Sequence, residues 1–145
     1  MILVDTNLLV YATFADAPEH ERTRTWLGEL LADREGTVAL CWPVLYSYVR
    51  LTSSARALGR NALTVRAAWA DVAAYLEQPS VRLVSAGAGH ASIAAQLAGT
   101  PGLRSEDVPD VEIAAIAIEN GLAMATHDAG FRRFAALRVV DPLQG

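Results

Sequence analysis

Short continuous apolar runs alternate along this chain with stretches in which apolar residues recur every three or four positions. Ile2-Leu3-Val4 is the first run, and Asp5-Thr6-Asn7 separates it from Leu8-Leu9-Val10-Tyr11-Ala12, which reads as buried strand, turn and helix. Polar residues from Asp16 to His20, with Pro18 among them, mark the next helix start. Trp26, Leu27, Leu30 and Leu31 then recur at helical spacing until Arg34-Glu35-Gly36. Thr37 to Cys41 is a second strand, and Pro43 opens a helix through Leu45, Tyr48 and Val49 towards Thr52. Asn61 to Thr64 leads into a helix through Ala67, Trp69, Val72 and Leu76, and Val81 to Val84 is a third strand. A short helix is expected over Ala91 to Leu97, a loop over 99–109, and a helix from Val111 to Glu119 closed by Asn120-Gly121. Leu122 to Thr126 follows as a strand, then a short helix through Phe131 and Phe134, and Val139-Val140 as a last strand. This alternation predicts one α/β domain over residues 1–145, with a mostly parallel sheet of four or five strands.

At 145 residues, of which 52% are hydrophobic and 19% charged, the chain has enough apolar surface for a sizeable core and is not of disordered composition. No apolar run approaches a membrane span, and Asp5 interrupts the opening one, so a soluble, cytoplasmic protein is expected. The single cysteine, Cys41, forms no internal disulfide and reads as a small core residue. The formal net charge of −4 argues against a surface basic all over. All twelve basic residues are arginine, which excludes Schiff-base, phosphate-binding and aspartyl-phosphate lysines together. Arginine also grips phosphate bidentately, so the composition suits a phosphodiester substrate.

Ligands of open α/β sheets bind outside the carboxyl ends of the strands. Asp5 directly follows the first strand, Asp128 follows the fourth with His127 between, and Asp110 stands at the start of the 111–119 helix. Each also has a capping reading, as an N-cap or a partner of a helix dipole. Three carboxylates on one rim would suit a hard divalent cation, Mg²⁺ or Mn²⁺, which prefers oxygen ligands.

The opening Met1-Ile2-Leu3-Val4-Asp5-Thr6-Asn7-Leu8-Leu9-Val10-Tyr11-Ala12, the segment Val108-Pro109-Asp110-Val111-Glu112-Ile113-Ala114-Ala115-Ile116-Ala117 and the segment Ala125-Thr126-His127-Asp128-Ala129-Gly130-Phe131-Arg132-Arg133-Phe134 resemble the PIN-domain ribonucleases. The likeness is to the VapC-type toxins of type II toxin–antitoxin modules and extends over the whole chain. It implies a PIN-like three-layer α/β/α fold and an Mg²⁺- or Mn²⁺-dependent endoribonuclease whose catalytic, metal-binding acids are Asp5, Asp110 and Asp128. Asn7 and Thr126 would support them through hydrogen bonds. The resemblance also implies a cognate VapB-type antitoxin, an RNA substrate, a homodimer and no membrane partner. The family usually carries a glutamate in the helix after the second strand; Ser47 stands there in this chain, which leaves a second metal site open. Arg50, three residues on, shares the side of Ser47 and is a candidate to hold a carboxylate or a phosphate.

Glu106, Asp107 and Glu112 lie near Asp110 and are candidates for the missing carboxylate, although Glu112 sits roughly 200° round an ideal helix from it. His20, His90 and His127 have no zinc-ligand spacing. Trp26, Trp42 and Trp69 are expected in the core, and Arg132-Arg133 is the better candidate for a phosphate contact. Two other readings compete. A haloacid-dehalogenase-type phosphatase would need a second acid at Asn7 and a lysine that does not exist; a degenerate, non-catalytic PIN-like module would bind RNA or a protein without cleaving.

Overall fold

The computed structural model describes residues 1–33 and 36–144. Five short strands, β1 (Ile2–Val4), β2 (Val38–Leu40), β3 (Val81–Leu83), β4 (Ala123–Ala125) and β5 (Val139–Val140), form one sheet in the order β3-β2-β1-β4-β5. All four pairings are parallel, with Val4 opposite Ala125 at the end of the central pair. Parallel strands need crossovers, and helices supply them on both faces, giving an α/β/α arrangement. These helices are α1 (Thr6–Thr13), α2 (His20–Ala32), α3 (Trp42–Thr52), α4 (Ala55–Leu58), α5 (Val65–Glu77), α6 (His90–Leu97) and α7 (Val108–Glu119).

The core is built where the sequence runs are most apolar. Leu3, Val4, Leu40, Met124 and Ala125 of the central strands are fully shielded, and Leu8, Leu9, Val44, Leu45 and Tyr48 pack over them from α1 and α3. Helix α7 is apolar nearly all round, and Ala114, Ala115 and Ala117 on it are fully buried. Small side chains let a helix lie close to its neighbours, and an apolar surface on every side is the mark of a buried one. Gly121, at φ +67°, ends α7 in the left-handed region that a glycine enters without steric cost.

Several expected boundaries shift. The 99–109 stretch is not all loop: Ser105–Asp107 forms a 3-10 turn, and α7 begins at Val108 rather than Val111. The Asp107 carboxylate accepts the Arg104 N–H at 2.9 Å and closes that turn, while Pro109 lies in the first helical turn, where its missing N–H has no intrahelical partner anyway. Asp110 therefore lies inside the first turn of α7. The helix expected through Phe131 and Phe134 is a 3-10 segment, Ala129–Arg133, with Phe134 just beyond it. Ala55–Leu58 and Gly59–Asn61 add short helical turns that the apolar pattern did not reveal. The end expected for the second helix falls on Arg34 and Glu35, which lie outside the described residues.

Trp26 and Trp69 are partly buried and pack against the core, but Trp42 corrects the expectation that all three tryptophans are core. Trp42 is 40% and Tyr46 61% exposed, and Tyr46 bridges Trp42 and Trp69 in edge-on contacts, with ring centroids 6.2 and 5.3 Å apart. Their face of α3 points away from the sheet because Val44, Leu45, Tyr48 and Val49 take the inward positions. Among the described residues, no helix is long and apolar enough to cross a membrane.

Leu45 is fully buried between α3 and the sheet. Leu45→Ala is expected to lower stability by about 2–5 kcal/mol through lost burial and an unfilled cavity. Chemical denaturation should show a lower midpoint with an unchanged slope.

Candidate active site

The chain leaves β1 towards β2 on one side and leaves β4 towards β5 on the other, so the sheet order reverses between β1 and β4. A crevice opens at the carboxyl ends of strands at such a reversal. Asp5 and Thr126 are the residues that leave β1 and β4 there, tied by the Asp5 N–H donating to the Ala125 carbonyl at 2.9 Å. Helix α7 runs antiparallel to the strand it feeds, which returns its first turn, and Asp110, to the same rim.

The Thr126 hydroxyl links this cluster. It donates to Asp5 Oδ2 at 2.7 Å and accepts the Asp128 N–H at 3.0 Å and Asn7 Nδ2 at 3.3 Å. Asp5 Oδ1 also accepts the Thr6 N–H at 2.7 Å, and Asp128 Oδ1 accepts the Gly130 N–H at 2.8 Å, so both acids cap the segments that follow them. The capping reading and the site reading thus hold for the same carboxylates at once. Asn7 Oδ1 is buried without a hydrogen-bond partner.

Burial pushes the Asp5 carboxyl above its ordinary value; the bonds from Thr126 and Thr6 oppose the shift, and the charges of Asp110 and Asp128 add to it. Asp110 is raised for the same reason, first by burial and then by Asp128, with Arg133 opposing. Arg133 Nη2 lies 3.1 Å from Asp110 Oδ2 and 3.4 Å from Asp107 Oδ1. Asp107 lies below the ordinary carboxylate range, chiefly because it accepts the Arg104 N–H, with Arg133 and Arg104 assisting.

The structure thus gathers Asp5, Asp110, Asp128, Asn7 and Thr126. Ser47 is half-buried on α3 and makes no hydrogen bond to the three acids, and Arg50 is exposed with no ion pair among the described residues. The other acids near Asp110 do not join the cluster either. Glu112 is exposed, Glu106 pairs outward with Arg104 at 3.4 Å, and Asp107 is occupied by Arg104 and Arg133. His127 turns to Asp141, 2.9 Å away, and packs edge-on to Tyr11. Arg132 reaches Gln144 at 3.4 Å, whereas Arg133 enters the acid cluster. Sequence spacing gave Arg133 no preference over Arg132; the signal was the aromatic pair Phe131 and Phe134, whose burial turns Arg133 inward.

An all-oxygen donor set with an unpartnered buried amide oxygen fits a hard divalent cation. Among the described residues, no three acidic, histidine or cysteine side chains stand as an assembled ligand set, and hydrogen bonds or Arg133 engage one or both oxygens of each of the three acids. Arg133 takes Asp110 Oδ2, so a cation at that oxygen would compete with the guanidinium.

The model of the PIN domain matches residues 2–137. The chain belongs to the PIN-domain family. Ribonuclease VapC33 of Mycobacterium tuberculosis is 36% identical over 144 residues, 99% of either chain. Ribonuclease VapC43 of the same organism is 34% identical over 145 residues, covering 100% of this chain and 97% of the relative. Among solved structures, VapBC2 from Rickettsia felis, bound to a DNA fragment from their promoter, superposes with a TM-score of 0.69 at 19% identity, over 97% of this chain and 98% of the other. That likeness is one of fold. The resemblance to VapC-type PIN proteins thus holds from end to end.

The folded chain keeps a proton on Asp5 at pH values where the unfolded chain has lost it, so stability falls as pH rises from the ordinary 3.8 through the raised folded value. Thr126→Val removes a donor from the buried carboxylate and is expected to cost about 1–3 kcal/mol at neutral pH. The deficit should shrink in acid, where Asp5 is protonated in both states. Urea unfolding at pH 7 and below pH 4 checks this; an equal deficit at both would refute the link to Asp5.

Proposed function

We propose that this PIN-domain chain is the toxin of a type II toxin–antitoxin pair, a metal-dependent endoribonuclease that hydrolyses RNA phosphodiester bonds. The observation that carries the reading is the convergence of Asp5, Asp110 and Asp128 at the reversal of the sheet, in a chain whose full-length relatives are named VapC ribonucleases. Asp5, Asp110 and Asp128 would hold the cation, with Asn7 Oδ1 beside them. When bound, Mg²⁺ or Mn²⁺ supplies a positive charge that lowers the pKa of water and offsets charge developing on the scissile phosphate. Thr126 holds the Asp5 carboxylate through Oδ2 and Asp128 through its backbone N–H, while the Gly130 N–H holds the Asp128 carboxylate. With Ser47 in place of a further carboxylate, a single cation is the simpler reading.

The partners follow the same reasoning. The acid-lined rim suits an arginine offered by a small VapB-type antitoxin, since a guanidinium pairs with carboxylates bidentately and opposes the cation. Exposed Trp42 and Tyr46, with half-buried Trp69 beside them, suit a homodimer contact, because aromatic residues of this size are enriched at interface centres. Light scattering should therefore give a dimer for the wild type and a monomer for Tyr46→Asp.

A non-catalytic PIN-like module draws support from Ser47 and from the Arg133 pairing that occupies Asp110. Cleavage of a structured-RNA pool by the antitoxin-free chain separates the two readings. Activity with Mg²⁺ or Mn²⁺, lost on chelation and reduced at least about 100-fold in Asp110→Asn, is the expected outcome. A folded wild type that cleaves no RNA with either metal establishes the binding module instead.

A further inference from the structure

We propose that Arg133 is a substrate-contacting residue: parked on Asp110 in the free protein, its guanidinium passes to a phosphate group of the RNA when Asp110 ligates the cation. This rests on the ribonuclease reading above and names the residue that answers the substrate's charge at that site.

The backbone of Arg133 is fixed while its head group is not fully satisfied. Arg133 ends the 3-10 segment that begins at Ala129, and Phe131 and Phe134, each only 1% exposed, anchor that segment on either side. The guanidinium lies 5.0 Å from the centroid of the Phe134 ring, a flat surface that lets the planar group slide without leaving the site. Its Nη2 alone serves both carboxylates, at 3.1 Å to Asp110 and 3.4 Å to Asp107. Its Nε is buried and has no partner.

A guanidinium prefers to present two parallel N–H groups to two oxygens of one acceptor. The parked arrangement forfeits that fork, and a buried donor without an acceptor is an unfavourable state that a ligand can relieve. A phosphate taken on the Nε–Nη2 edge supplies both acceptors. That edge lies next to the acids, since Nη2 already pairs with Asp110 and Asp107. A Cβ on Gly130 would lie 3.0 Å from Asp128 Oδ1 and 3.7 Å from Arg133 Nη1, so glycine keeps open the small space between Asp128 and the other side of the guanidinium. Asp107 retains the guanidinium at the rim after Asp110 has turned away. Without Arg133, a polyanion would approach three carboxylates with no fixed positive charge among them. The geometry also makes the guanidinium and the cation competitors for Asp110.

Two variants of the full chain, Arg133→Gln and Arg133→Lys, test this through two readouts. Calorimetric titration with Mn²⁺ in the absence of RNA is expected to show tighter binding in Arg133→Gln, because the competitor for Asp110 is gone. Cleavage at saturating Mn²⁺ is expected to show kcat reduced about 100-fold in the same variant, the scale for losing one charge-stabilising donor. Arg133→Lys keeps the charge but not the fork, so its kcat should stay well below that of the wild type. A merely structural arginine would move both readouts down together with the melting temperature, or neither, and either result overturns the proposal. If Arg133→Gln melts early, the lysine variant decides on the same criteria. A wild type that cleaves while both variants match it refutes this inference alone; a wild type that never cleaves refutes the ribonuclease reading and this proposal with it.

Discussion

Burying an ionised carboxylate beside two others is unfavourable, and the organisation of this rim follows from how that is made tolerable. Asp5 leaves the central strand at a point sealed from solvent by the core, so it depends on the donors that neighbouring backbone and side chains can aim at it. The Thr6 N–H comes with the helix that Asp5 caps. The Thr126 hydroxyl comes from the adjacent strand, and it is available only because β1 and β4 are paired in register. A slip of one residue would turn Thr126 to the other face of the sheet and leave Asp5 with a single donor.

Charge is managed in a second layer around this pair. Asp128 spends one oxygen on the Gly130 N–H, and Asp110 shares Arg133 with Asp107. The segment 129–134 therefore does two things: its aromatic residues complete the core, and its arginine reduces the repulsion among the acids. The arrangement leaves Asn7 Oδ1 and Arg133 Nε buried without partners. Unsatisfied buried polar groups are unfavourable by themselves.

Much of the architecture was legible because it is written in local periodicity. The strand runs at Ile2–Val4, Val81–Leu83 and Val139–Val140, and the helix ending at Gly121, need only alternation, length and a terminating residue to be recognised. The expectations that failed did so for separate reasons. The start of α7 moved because an Asp107 side chain closes a turn that apolar spacing cannot register. Trp42 lies outside because α3 had a better inward face to offer, a competition that hydrophobicity alone does not rank.

The sequence by itself determined the order of elements, the absence of lysine chemistry and the placement of acids where strands hand over to helices. These are properties of neighbours along the chain, and neighbours constrain one another through backbone geometry and periodicity. Only the tertiary structure decided that Thr126 joins Asp5 to Asp128, that Asp110 returns to the same rim, and that Arg133 rather than Arg132 or Arg50 stands among the acids. The contacts Thr126–Asp5 and Arg133–Asp110 span 121 and 23 positions of sequence and depend on strand order, parallel register and the direction in which α7 crosses the sheet. Such long-range terms are set by how the whole core packs, and no local pattern carries them.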